Sequence, residues 1–69
     1  MIERLVEQIE TRFAELEREM SDPAVIADQQ RYASVGREYR QLEPAHRLAR
    51  EWLTLRDDLE AARELLRED

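Results

Sequence analysis

The apolar residues of this 69-residue chain recur at alternating intervals of four and three, which is the spacing of one face of an α-helix. Glutamate and arginine occupy the remaining positions, and no alternating strand pattern or Asn-Gly hairpin signal is present. The spacing therefore predicts an all-α fold. In the first helix, expected at about residues 2–20, the apolar positions are Ile2, Val6, Ile9, Phe13, Leu16 and Met20.

The segment SDPAVIADQQRY, residues 21–32, interrupts this helical pattern. Ser21 or Asp22 can accept hydrogen bonds from free backbone N–H groups, and Pro23 suits the first position of a helix. Asp28 is a second capping candidate, because a carboxylate accepts such bonds and favours the positive end of a helix dipole. We therefore expect a capped connection at residues 21–28, with one short turn inside it.

Two further apolar series follow the connection, and a proline separates them. Pro44 disfavours helical geometry at Glu43 and is suited to open a helix, so we expect helix 2 at about residues 29–42 and helix 3 at about residues 44–67. Short connections make consecutive helices neighbours, so residues 1–69 are expected to form one domain, an antiparallel three-helix bundle with coiled-coil-like helices. The first series is Tyr32, Val35, Tyr39 and Leu42, and the second is Ala45, Leu48, Trp52, Leu55, Leu59, Ala62 and Leu66.

The apolar series also predict the roles of the aromatic residues and of the single glycine. Aromatic side chains on such a stripe usually belong to the core, so Phe13, Tyr32, Tyr39 and Trp52 are interpreted as core residues. A glycine inside a helix costs about 1 kcal/mol relative to alanine. Gly36 is therefore expected to mark a close crossing of two helices.

The composition argues against a self-contained enzyme. A chain of this length buries a thin core, and it has no cysteine for thiolate chemistry and one glycine where a phosphate-binding loop needs several. His46 has no second histidine or cysteine to complete a metal site and is expected to be an exposed polar residue. Asp57 and Asp58 are expected on a solvated surface. We predict no catalytic residue, no cofactor and no metal.

The distribution of charge leaves two interpretations open. The formal net charge is −6, but residues 31–56 hold six arginines against three acidic residues. Arg37, Arg40, Arg47 and Arg50 lead this basic part and are expected at one end of the molecule, with His46 nearby. They form either an ordinary solvated face or a contact with the ribosome or a nucleic acid. No apolar run approaches the length of a membrane span, so we expect no membrane partner. The lack of cysteine gives no sign of an oxidising compartment, so we expect a cytoplasmic protein.

Three strings, read in order, resemble a known family. SDPAVIADQQRY, REYRQLEP and DDLEAARELL are similar to the N-terminal helical domain of bacterial class I peptide chain release factors, and most similar to the type that reads UAA and UAG. The resemblance spans residues 16–68, and helix 1 matches only in its amphipathic character. One departure is Gln29, where many members of the family have proline.

The resemblance implies a role in translation termination. In this family a stop codon is recognised in the decoding centre, and a Gly-Gly-Gln loop promotes hydrolysis of peptidyl-tRNA. The N-terminal domain faces the stalk base of the large subunit, with ribosomal protein L11 and its associated RNA. This chain contains neither the Gly-Gly-Gln loop nor the codon-recognition tripeptide. It is expected to be a non-catalytic fragment or isolated domain of such a factor.

A second interpretation stays open beside the resemblance. The chain is then a stand-alone helical module that uses its apolar faces for self-association or for binding a partner helix. The two interpretations are compatible, since a fragment can expose an apolar helix face that further helices would cover.

Overall fold

The computed structural model describes residues 1–68, which form three α-helices. Helix α1 spans Ile2–Ser21, α2 spans Pro23–Ala27, and α3 spans Gln29–Glu68. The described part of the chain has no β-strand. The predicted all-α class is therefore confirmed, and α1 agrees with the expected first helix.

The connection between α1 and α3 is capped by two aspartates. Asp22 Oδ1 accepts a hydrogen bond of 2.9 Å from the Ala24 backbone N–H, and Pro23 occupies the first position of α2. Asp28 Oδ1 accepts a hydrogen bond of 3.2 Å from the Arg31 backbone N–H at the start of α3. Each carboxylate thus satisfies a donor that a helix start leaves without an intrahelical partner. Of the two caps considered for α2, Asp22 is the one used.

The expected break at Pro44 is absent, and this corrects the predicted three-helix bundle. Helix α3 runs unbroken through Pro44, so the expected helix 2 and helix 3 are one helix of 40 residues. The ion pairs Glu19–Arg31, Arg12–Glu38 and Glu10–Arg50 show that α1 lies antiparallel to α3. The fold is a helical hairpin with α2 at its bend, and it extends 58 Å along its longest axis.

Helix α3 tolerates Pro44 because of where the proline lies. Pro44 is exposed. It lies two residues from both Leu42 and His46, whose side chains pack against α1. Two residues correspond to about 200° around a helix, so the proline ring is on the outer face. The Arg40 carbonyl that loses its N–H partner can be hydrated there. Helix α1 contacts α3 on both sides of the proline, at Glu38 and at Arg50, and this holds α3 continuous.

The core lies between α1, α2 and the first half of α3. Leu16 and Val25 are fully buried, and Val35 joins them with Met20, Tyr39 and Leu42 packed around the cluster. Further along the hairpin Phe13 lies between two rings, with centroids 4.6 Å from Tyr39 and 3.8 Å from His46. Val6 and Ala49 extend the buried strip toward the start of α1.

Two predictions about individual side chains are wrong. Tyr32 is 39% exposed although it precedes Tyr39 by seven residues and shares its helical face, because it lies in the first turn of α3, at the bend of the hairpin. Gly36 marks no close crossing, since a Cβ built on it meets no atom within 4 Å. The predicted core positions of Phe13 and Tyr39 are confirmed, and Trp52 is half-buried.

No helix within residues 1–68 is both long enough and apolar enough to cross a membrane.

Candidate functional site

The four arginines singled out in the sequence lie along the middle of α3 and not at one end of the molecule. From Arg37 to Arg50 the helix rises about 20 Å. Arg37, Arg40 and Arg47 are separated by three and seven residues, so they share one face. Arg37 follows the buried Val35 by two residues, which turns this face away from α1. The structure thus brings three of the four arginines onto one outer surface, here called the arginine face.

The four arginines differ in their ionic contacts. Arg47 is 3.7 Å from the Glu43 carboxylate one turn earlier, and Arg50 is 3.7 Å from Glu10 of α1. Arg37 and Arg40 have no acidic partner in the part of the chain that the structure describes. All four side chains are exposed. Arg37 and Arg40 are therefore the cations whose charge is least compensated, and Arg50 also contributes to the α1–α3 interface.

A cluster around His46 was not anticipated from the sequence. His46 is 23% exposed rather than on the open surface, stacks on Phe13, and places Nε2 at 3.4 Å from Glu10 Oε2. Glu10 Oε1 is buried and forms no hydrogen bond among the described residues, although Arg50 lies within ion-pair distance. One sequence signal could have shown this. His46 follows Tyr39 by seven residues, which puts it on the same helical face once α3 is continuous.

The strongest polar contact between the two long helices is the pair Arg12–Glu38. Arg12 Nε donates to Glu38 Oε2 at 2.6 Å, and an Arg12 Nη donates to Oε1 at 2.7 Å. Hydrogen bonding from Arg12 lowers the pKa of Glu38, while hydrogen bonding to Glu38 and then to Glu15 raises the pKa of Arg12. Both side chains are more than two-fifths exposed, so water screens the pair. Its role is to set the register of α1 on α3.

The titratable side chains are spread along the length of the hairpin. Among the residues that the structure describes, no group of three or more histidine, aspartate or glutamate side chains is arranged to hold a metal ion. Acid–base catalysis needs titratable groups that converge in a pocket with their pKa values pushed apart. Of the two acidic residues with lowered pKa, Glu3 is exposed and Glu38 is half-exposed, and they lie on different helices.

The chain was compared with known proteins. The PCRF domain family matches residues 9–69. Peptide chain release factor 1 of Acidobacterium capsulatum is 47% identical over 68 residues, which are 99% of this chain and 19% of the relative. The factors of the same name from Acidothermus cellulolyticus and Corynebacterium efficiens are 42% and 41% identical over 64 residues, which are 93% of this chain and 18% of each relative. No solved structure matches the chain significantly.

The chain spans about a fifth of the length of these curated relatives, and it aligns with them over almost its whole length. The matched region includes both aspartate caps, all of α3 as described, and the whole arginine face. By the extent of this match, the chain belongs to the PCRF domain family.

Proposed function

We propose that this chain is the N-terminal ribosome-interaction domain of a class I peptide chain release factor, acting in translation termination at UAA and UAG codons. The observation that carries the proposal is the match of residues 9–69 to the PCRF domain family, together with 47% identity to a relative named peptide chain release factor 1. In this proposal the chain itself is non-catalytic and works in the cytoplasm. Hydrolysis of peptidyl-tRNA is promoted by other domains of the longer factor.

The hairpin architecture supports a positioning role. An elongated domain with a thin core and open surfaces can hold a contact surface at a distance from a catalytic site. The α1–α3 interface is fixed by Phe13 and by the Arg12–Glu38 pair, so the outer face of α3 is held in one orientation. The partner proposed for this domain is the stalk base of the large subunit, with ribosomal protein L11 and its associated RNA.

The arginine face is the proposed contact, with Arg37 and Arg40 contributing most. The phosphate backbone of RNA is recognised largely by arginine and lysine, in a manner that depends on salt. Arg37 and Arg40 are exposed and have no acidic partner within the described residues, whereas Glu43 and Glu10 partly neutralise Arg47 and Arg50. Since the chain is acidic overall, a local basic face would orient its approach to a polyanion.

Domain replacement tests both the assignment of this domain and the proposed contact through the arginine face. The chain would replace the aligned segment of the Acidobacterium capsulatum factor, and association with stop-codon-programmed ribosomes would be measured at low and high salt. We expect the chimera to release peptide at a UAA codon, with codon recognition and catalysis supplied by the other domains of the recipient factor. Arg37→Glu with Arg40→Glu should slow association, and the effect should be larger at low salt.

Arg4→Glu with Arg18→Glu is the matched control, because it changes the net charge equally on exposed positions of α1. An equal effect of both double variants would contradict the arginine face as the contact. A folded chimera that neither binds ribosomes nor releases peptide would contradict the assignment of the domain.

A further inference from the structure

Three features lie close together in the first half of α3. Tyr32 is an aromatic residue that is 39% exposed. Gly36 weakens a helix relative to alanine, yet it has no positive φ, and a Cβ built on it meets no atom within 4 Å. Arg37 and Arg40 are exposed and have no acidic partner within residues 1–68. Packing within the hairpin gives no reason for this glycine or for these arginines, and it leaves Tyr32 partly open to solvent.

These residues surround a low surface on α3, here called the Gly36 depression. Its floor consists of Gly36 and the exposed Ala33, and its rim consists of Tyr32, Arg37 and Arg40. All five are separated from a neighbour in the group by three or four residues, so they are adjacent on the helix surface. Around the helix axis, Tyr32 lies about 40° to one side of Gly36, and Arg37 lies about 100° to the other. The depression therefore has an aromatic residue on one edge and cations on the other.

The charge over the Gly36 depression is positive. Glu43 follows Gly36 by seven residues and lies on the same side of α3, but Arg47 is 3.7 Å from its carboxylate and offsets its charge. Glu38 is held by Arg12 at the interface with α1. The two arginines of the rim thus carry the charge that an anionic ligand would meet.

This combination matches the way in which proteins bind unpaired nucleotides. A base stacks on an aromatic side chain, and arginines bind the phosphates beside it. A glycine lets another backbone approach closely, because it has no side chain. Duplex RNA keeps its base faces stacked inside the helix, so it would make no use of an exposed tyrosine.

We propose that the Gly36 depression binds an unpaired RNA nucleotide, with its base against Tyr32 and the neighbouring phosphates on Arg37 and Arg40. The sugar–phosphate backbone passes over Gly36, where a side chain would hold it away from the helix. This inference rests on the proposed ribosome contact, and it specifies which form of RNA the arginine face meets.

Dissociation of the chimera from stop-codon-programmed ribosomes tests the two uncharged residues. Tyr32→Leu should raise the dissociation rate about tenfold, because leucine offers no aromatic face, whereas Tyr32→Phe should leave it nearly unchanged. Gly36→Gln should also raise the rate several-fold, because the new side chain fills the depression, although glutamine favours the helix. Ala61→Gln is the matched control, since it adds the same side chain at an exposed position of α3 outside the depression. Circular dichroism should show all four variants as helical as the original chain.

Ultraviolet cross-linking identifies the partner. Irradiation of the ribosome complex should join the domain to ribosomal RNA at an unpaired base, and Tyr32→Leu should remove most of this product. A cross-link to a ribosomal protein alone, or a cross-link to RNA that Tyr32→Leu does not reduce, would overturn the nucleotide site.

The outcomes also separate this inference from the proposed function. If Arg37→Glu with Arg40→Glu slows association while the Tyr32→Leu and Gly36→Gln chimeras dissociate at the original rate, the nucleotide site is wrong and the arginine contact stands. Equal effects of Gly36→Gln and Ala61→Gln would likewise contradict the depression. A folded chimera that does not bind ribosomes would overturn the proposed function and this inference with it.

Discussion

Arg12 of α1 and Glu38 of α3 join the two long helices through a bidentate ion pair, with 2.6 Å from Arg12 Nε to Glu38 Oε2. The residues are 26 positions apart in the chain, so their contact exists only in the folded hairpin. Arg12 and Glu38 are the immediate sequence neighbours of Phe13 and Tyr39, whose rings stack on each other. A planar guanidinium fork matched to a carboxylate has few acceptable geometries, and the pair therefore fixes the register of the hairpin.

The stability contributed by Glu38 should depend on pH. Arg12 lowers the pKa of Glu38 in the folded state, so this contribution is present above the unfolded-state pKa and is lost as pH falls through the folded-state pKa. Glu38→Gln should lower Tm at neutral pH, and the difference from the original chain should shrink on acidification. Thermal unfolding followed by circular dichroism at several pH values measures this. Glu60→Gln, on the part of α3 beyond α1, is the control, and an equal loss at Glu60 would contradict the prediction.

Phe13→Leu should destabilise the hairpin by about 1–2 kcal/mol, because it removes buried volume and the stacking with Tyr39 and His46. Urea unfolding gives the change in the free energy of unfolding. Tyr32→Leu is the matched control, since this ring is 39% exposed. If the two substitutions cost the same, Phe13 does not anchor the interface as described.

Pro44→Ala should stabilise the chain. The substitution restores an N–H donor for the Arg40 carbonyl within a continuous helix, and proline inside a helix costs about 3 kcal/mol relative to alanine. Part of the gain is offset because proline also restricts the unfolded chain, by about 1 kcal/mol or less. Urea unfolding should thus show a gain of about 2–3 kcal/mol.

Pro23→Ala serves as the control for this substitution. Pro23 is at the first position of α2, where a missing N–H costs no helical hydrogen bond, so no comparable gain is expected. Destabilisation by Pro44→Ala would indicate that residues 43–44 form a bend rather than part of one helix.

Gly36→Ala should stabilise the chain by about 1 kcal/mol, because alanine favours the helix and restricts the unfolded state. The added Cβ meets no atom within 4 Å, and Gly36 does not have a positive φ. Denaturant unfolding measures the gain. Ala33→Gly, at an exposed position one turn earlier on α3, should produce a loss of similar size. A loss of stability with Gly36→Ala would restore the idea of a close helix crossing at this glycine.

The local sequence was sufficient to predict the interruption between α1 and α3. Asp22, Pro23 and Asp28 act through hydrogen bonds and backbone geometry within a few residues, and all three have their predicted roles. The positions of Arg37, Arg40, Arg47 and Arg50 on an exposed helix were also predictable from spacing. The prediction that they lie at one end of a bundle is wrong, because it depended on a turn at Pro44 that does not form.

His46 shows why part of the interface escaped prediction. Considered alone it is a polar residue near an expected helix start. In the continuous α3 it is in phase with Tyr39 and stacks on Phe13, and its neighbour across the interface is Glu10. Its burial is a consequence of helix continuity, which is a long-range property.

The sequence by itself determined the helical class, the extent of α1, the capped connection and the family, since these depend on periodicity, local hydrogen bonding and residue order. Only the tertiary structure decided whether Pro44 ends a helix. The propensity penalty of one proline is a few kcal/mol, and packing on both of its sides can exceed it. Helix α1 packs against α3 before and after Pro44, so the local preference for a turn is overridden. In the continuous α3, Leu55, Leu59 and Leu66 are exposed.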